Sequence, residues 1–120
     1  MKFNHHTISV VFILWALFAS LLAGAVTTTP ARAASIVVNS NADTVTNDGY
    51  CTLREAIIAA NTDVASGALA GECAAGSGAD TITFAGDYFI TLTASLPNVL
   101  SEITISGAGR AITINGNNTH

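Results

Sequence analysis

From Ala79 onward the chain alternates, and this restricts its folds more than any other feature. Asp80-Thr81-Ile82-Thr83-Phe84, Tyr88 to Leu92, Glu102-Ile103-Thr104-Ile105 and Ala111-Ile112-Thr113-Ile114 repeat apolar residues at every second position with Thr between them. Period two is strand geometry. Ile82, Phe84, Ile90, Leu92, Ile103, Ile105, Ile112 and Ile114 are therefore expected to face inward and the threonines outward. The four strands read as two copies of one pair. Ile82-Thr83-Phe84 aligns with Ile103-Thr104-Ile105 at an offset of 21, as does Gly86 with Gly107, and Ile90-Thr91-Leu92 aligns with Ile112-Thr113-Ile114 at an offset of 22. A leucine-rich repeat has a similar period, but its Leu-x-x-Leu-x-Leu-x-x-Asn pattern is missing. Short strands, glycine turns and a fixed phase predict a mainly β fold, the coils of a parallel β-helix. An antiparallel meander of hairpins would need no fixed period.

One segment has a different period. In Cys51-Thr52-Leu53-Arg54-Glu55-Ala56-Ile57-Ile58-Ala59-Ala60-Asn61, Thr52 and Glu55 have capping-box spacing, and Leu53, Ala56, Ile57 and Ala60 form one apolar stripe. The pattern predicts a helix over 52–61, with Asn61 as its left-handed stop. Three turns do not hold alone in water, so the stripe must cover something. A solenoid needs a cover over the end of its core, and the helix is expected to cover Ile82 and Phe84. Ser35 to Asn39 predicts a strand before it. Residues 63–78 are rich in Ala, Gly and Ser and read as a loop.

The chain begins with targeting signals. Lys2, His5 and His6 precede an uncharged run from Ile8 to Val26, followed by Pro30 and Ala31-Arg32-Ala33. This is the pattern of a secretory signal peptide over 1–33, cleaved after Ala33; the competing reading is an uncleaved membrane anchor. The expected organisation is then a cap over 34–78 and two coils over 79–120. After cleavage only Arg54 and Arg110 balance eight acidic residues, for a net charge of −6. Such a chain is a poor partner for nucleic acid or anionic membranes. The open partner classes are a carbohydrate or a cell-surface component.

Export permits a disulfide, and Cys51 and Cys73 are the two cysteines of the chain. Closing that loop stabilises by roughly 3 kcal/mol in the chain-entropy picture. A metal pair is the alternative, but no His or further Cys lies nearby in sequence.

Asp48-Gly49-Tyr50-Cys51-Thr52-Leu53-Arg54-Glu55-Ala56-Ile57, then Ala60-Asn61, Cys73 and Ala79-Asp80-Thr81-Ile82-Thr83-Phe84 together resemble the CSLREA-motif family, with Thr52 in place of the motif's Ser. Either hydroxyl can cap a helix. The resemblance runs from about Ile36 to Asn117. It implies the N-terminal region of a secreted bacterial right-handed parallel β-helix protein of the pectin-lyase-like type, and it brings no catalytic residues.

Catalytic groups are scarce. His120 is the only His after the leader, no Lys remains there, and no Ser-His-Asp set can be assembled. The acid pair of a glycosidase could be drawn from Asp80, Asp87 and Glu102, but nothing in the sequence sets two of them across a cleft. Arg110 is the one basic residue among the strands. Arg54 is expected to pair with Asp80 or Asp43, and Glu55 to serve the cap. Asp43, Asn47 and Asp48 suit Asx turns, with Ca²⁺ as the minor alternative. Asn115, Asn117 and Asn118 suggest an Asn-rich turn, and Asn117-Asn118-Thr119 fits a glycosylation sequon. The expected function is a structural or adhesive scaffold at the cell surface. The alternative is part of a polysaccharide lyase or glycoside hydrolase whose site lies on later coils. With its last strand pair unfollowed, the chain reads as a fragment whose open end would self-associate.

Overall fold

The computed structural model describes residues 32–118. The hydrophobic run from Ile8 to Val26, Ala31 and the final Thr119-His120 lie outside them.

The β-branched run after Ala34 forms β1 (Ser35–Val38), with Ile36 and Val38 inward. The amphipathic segment forms α1 (Leu53–Thr62). The alternating region forms β2 (Asp80–Phe84), β3 (Tyr88–Thr91), β4 (Ile103–Ile105) and β5 (Ile112–Asn115). One sheet has the order β1-β2-β4 and the other pairs β3 with β5, every pairing being parallel. Helix α1 lies against β1 and β2. Among the described residues no helix is long and apolar enough to cross a membrane.

The expected fold class is corrected by this arrangement. The chain does not form a right-handed parallel β-helix. Among the described residues it is a small α/β fold of five short strands in two small sheets with one helix. A solenoid repeats one coil, whereas here the levels differ. β1 has no partner strand in the second sheet, and the chain between β1 and β2 instead carries α1. The antiparallel meander fails as well, since among the described residues no pairing is antiparallel.

The repeat is present, but its register differs from the alignment by two residues. Asp80 stands opposite Ile103, an offset of 23, and Tyr88 opposite Ile112, an offset of 24. A shift of two preserves the face of every side chain, so hydrophobic pattern alone cannot detect it.

The core joins Ile36, Val38, Ile82 and Phe84 of the larger sheet to Ile90 and Leu92, to Leu53, Ala56, Ile57, Ala59 and Ala60 of the helix, and to both cysteines. Each fully buried Ile contributes about 1.5–3 kcal/mol of transfer free energy. Ile103 and Ile112 are half-buried against this core, while Ile105 and Ile114 are each 45% exposed. Those last two were expected to be inward. They occupy the inward parity, but among the described residues no strand follows to cover them.

Candidate functional site

The helix start gathers two of the three buried carboxylates of the described residues, Asp43 and Glu55. Thr52 caps α1 in an extended conformation (φ −83°, ψ 163°), its hydroxyl accepting the Glu55 N–H at 3.2 Å. Glu55 returns its Oε2 to the Thr52 N–H at 3.0 Å, which completes the expected capping box. Glu55 is only 1% exposed, and its Oε1 accepts the Thr46 N–H at 2.7 Å. The Thr52 hydroxyl proton points to the Thr44 carbonyl at 2.8 Å. One carboxylate thus fastens both the helix and the segment before it. Leu53, Ala56 and Ile57 are buried beneath, as the stripe requires.

Arg54 leaves the helix on the other side. Its Nε and Nη2 hold Asp43 Oδ1 and Oδ2, each at 2.8 Å, in a two-pronged pair. Its remaining donors reach the carbonyls of Ser95 and Ala94, both at 2.7 Å. Asp43 also accepts the Thr93 N–H at 2.6 Å and the Thr93 hydroxyl at 2.9 Å. Burial raises the Asp43 pKa, but the Arg54 hydrogen bonds, the two Thr93 donors and the Arg54 charge outweigh it. They lower the pKa from 3.8 to about 2. Of the two expected partners of Arg54, Asp43 is the one used. Asp80 is buried elsewhere, where its Oδ1 accepts the N–H groups of Ser77 (2.8 Å) and Ala34 (3.0 Å), and its Oδ2 has no partner among the described residues.

The helix runs one residue past Asn61, to Thr62, and Asp63 takes the left-handed position (φ 55°, ψ 30°), which corrects the expected stop. Asn61 is occupied otherwise. Its side chain donates to the Asn98 carbonyl and accepts the Leu100 N–H, both at 2.8 Å. Arg54 and Asn61 are seven residues apart and so share a helix face. Together they hold both parts of the loop between β3 and β4.

Cys51 and Cys73 are joined in a disulfide with Cα atoms 4.7 Å apart, and both are buried. Asn39, at the end of β1, accepts the Cys51 N–H through Oδ1 (2.7 Å) and donates Nδ2 to the Gly71 carbonyl (2.8 Å). Gly71 (φ 98°) lies so close to Gly49 that a Cβ there would strike the Gly49 carbonyl oxygen. Glu72 accepts the Gly49 N–H at 2.8 Å and the Ser66 hydroxyl at 2.5 Å, and these bonds hold its carboxyl below the usual range. Asn39 and Glu72 gave no sequence signal, because their partners lie 32 and 23 residues away.

The three groups considered for Ca²⁺ do not converge. Asp43 faces Arg54, Asn47 Oδ1 accepts the Ala68 N–H at 3.0 Å, and Asp48 accepts the Tyr50 N–H and the Thr46 hydroxyl. Among the described residues no three His, Cys, Asp or Glu side chains gather to hold a metal ion. The acids considered for hydrolysis are also spread apart in role. Asp80 is interior, while Asp87 accepts the Ala111 N–H in a surface turn at 3.0 Å. A shallow apolar groove of about 120 Å³ runs along Val45, Ile58, Thr62 and Val64. Its polar lining is Glu55, Thr62 and Ser66: Glu55 accepts the Thr46 and Thr52 N–H groups, the Thr62 hydroxyl donates to the Ile58 carbonyl, and the Ser66 hydroxyl donates to Glu72. What the arrangement does is clamp chain segments together.

No family model matches the chain, and no curated protein or solved structure matches it either.

Proposed function

We propose that this chain is the capping part of an exported, cell-surface scaffold, a structural or adhesive module related to the CSLREA-motif proteins. The observation that carries this reading is the inward use of its charged motif residues. Arg54 and Glu55, the two charges of the Cys-Thr-Leu-Arg-Glu-Ala stretch, hold chain segments together, so the motif works as a fastener of folded structure. Export is supported by the joined Cys51 and Cys73, since such bonds persist outside the reducing cytosol. It is also supported by the hydrophobic leader and Ala31-Arg32-Ala33. The outward threonines and the lack of a basic patch suit a carbohydrate or cell-wall neighbour better than nucleic acid.

The test is fractionation of a secretion-competent bacterium expressing the full chain, with mass analysis of the product. The expected species lies outside the cytoplasm, begins at Ala34 and carries a Cys51–Cys73 bridge. An intact Met1 on a cytoplasmic product with two free thiols would overturn the reading.

A further inference from the structure

The course of the chain between β1 and β2 carries a consequence for how the fold is controlled. Parallel strands cannot be joined by a tight turn, and β1 and β2 are joined through residues 39–79. Closing so long a connection costs entropy before any pairing rewards it. Within it only α1 is regular. Its second half, 63–79, has little apolar anchorage: Cys73 and Gly76 are its only buried residues, and Gly76 has no side chain.

The disulfide lies where the two halves meet. Cys51 follows the segment that leaves β1, and Cys73 begins the return to β2, with 22 residues of sequence separation bypassed by the bond. The end of β1 touches both arms. The Asn39 N–H donates to the Cys51 carbonyl at 3.0 Å, the Asn39 side chain accepts the Cys51 N–H, and the same side chain holds the Gly71 carbonyl. Beyond Cys73 the chain is held to the helix by the Gly76 N–H on the Ala59 carbonyl at 3.3 Å. The remaining clasps are the part-buried Gly49 N–H on Glu72 Oε1 at 2.8 Å and exposed bonds such as Asn47 to Ala68, each worth little alone.

We propose that the Cys51–Cys73 bond is a redox gate on this fold: in the dithiol form the β1–β2 pairing opens about a hundredfold more readily, and oxidation locks it. The two cysteine thiols release two protons and pass two electrons to an external disulfide, a thiol–disulfide exchange protein or oxidised glutathione. That oxidant becomes two thiols as the Sγ–Sγ bond forms. Without the bond, 63–79 keeps no buried side chain that is tied to the rest. The helix then loses its return path, and the two-strand pairs left over are marginal in water. The gate does not depend on the chain's surface role, because it concerns assembly alone.

The test uses the full chain and follows amide hydrogen exchange at Thr81 and Ala85, whose N–H groups bond to the Ala34 and Val38 carbonyls across the β1–β2 pair. Reduction is expected to lower their protection about a hundredfold, the scale of a disulfide closing such a loop, and oxidised glutathione to restore it. The C51A/C73A variant is expected to lose protection like the reduced chain and not to respond to oxidant. Unchanged protection in the reduced wild type overturns the proposal, whatever the variant does. So does loss in the variant alone, which would assign the effect to packing of the sulfur atoms rather than to their bond.

Discussion

β2 and β3 have nearly the same alternating pattern as β4 and β5, yet the two halves meet different surroundings. Ile82 and Ile90 are fully buried, and their register partners Ile105 and Ile114 are each 45% exposed. β2, which carries Ile82, lies between β1 and β4 with α1 against it, and Ile90 of β3 joins the same core; among the described residues no strand lies beyond β4 or β5. Period decides which face a side chain takes, and the neighbouring elements decide whether that face is dry. The comparison breaks most readily by truncation. Ile82→Ala should cost about 2–5 kcal/mol, since transfer and cavity terms both apply. Ile105→Ala should cost less than about 1 kcal/mol, because solvent already reaches the site. Denaturant unfolding of the oxidised protein measures both. Equal losses would mean that Ile105 is covered in solution by another copy, and the Ile105 effect would then grow with protein concentration.

The same contrast explains what could be read from sequence. The strands, the capping box and the helix stripe rest on local spacing, and the cysteine pair on there being two cysteines in a chain with an export leader; all four are present in the structure. The register was missed by two residues because Ile, Thr and Phe at even spacing fit both alignments equally well. The fold class was missed because the repeat in 79–115 suggested equal coils, whereas β1 reaches the same sheet by way of a helix. The cap's polar joints were legible only in part. Arg54 was expected to find a carboxylate, but its contacts to Ala94 and Ser95 lie 40 and 41 residues away. Asn61 looked like a helix stop, since Asn tolerates the left-handed conformation, and nothing local announced that its amide would be used across the fold.

The two arginines of the described strands and cap sharpen the comparison in electrostatic terms. Arg54 holds a nearly buried carboxylate and two carbonyls, whereas Arg110 is exposed in the turn before β5. Arg54→Ala leaves Asp43 buried without its cation and should cost about 3 kcal/mol. Arg110→Ala should stay within about 0.5 kcal/mol. Thermal unfolding at pH 7 separates them. A smaller loss at Arg54 would show that water enters and solvates Asp43 when the guanidinium is removed.

Acid should act at the helix start through the same pair. Asp43 has a lower pKa in the folded chain, about 2, than its ordinary 3.8. Its contribution is therefore complete above pH 3.8 and is lost as the pH falls through about 2. The stabilisation at stake is at most about 2 kcal/mol. Comparing Asp43→Asn with wild type across pH 5 to 2 isolates it. The stability gap between them should narrow as the solution is acidified, and a constant gap would mean that Asp43 acts by packing rather than by charge.

A small global effect is expected where the two halves are joined. Asn61 on α1 holds Asn98 and Leu100, in the loop that leads from β3 to β4. Both bonds are exposed, so Asn61→Ala should lower global stability by only about 1 kcal/mol. Its local effect should be larger: the Leu100 amide loses its acceptor and should exchange faster, while the Ile82 and Phe84 region keeps its protection. That separation distinguishes two kinds of attachment. If the helix holds the loop only as a rim contact, exchange rises at Leu100 and stops there. If Asn61 also transmits the order of the capped end to the second strand pair, exchange rises in β4 as well, and the half-buried Ile103 loosens with it.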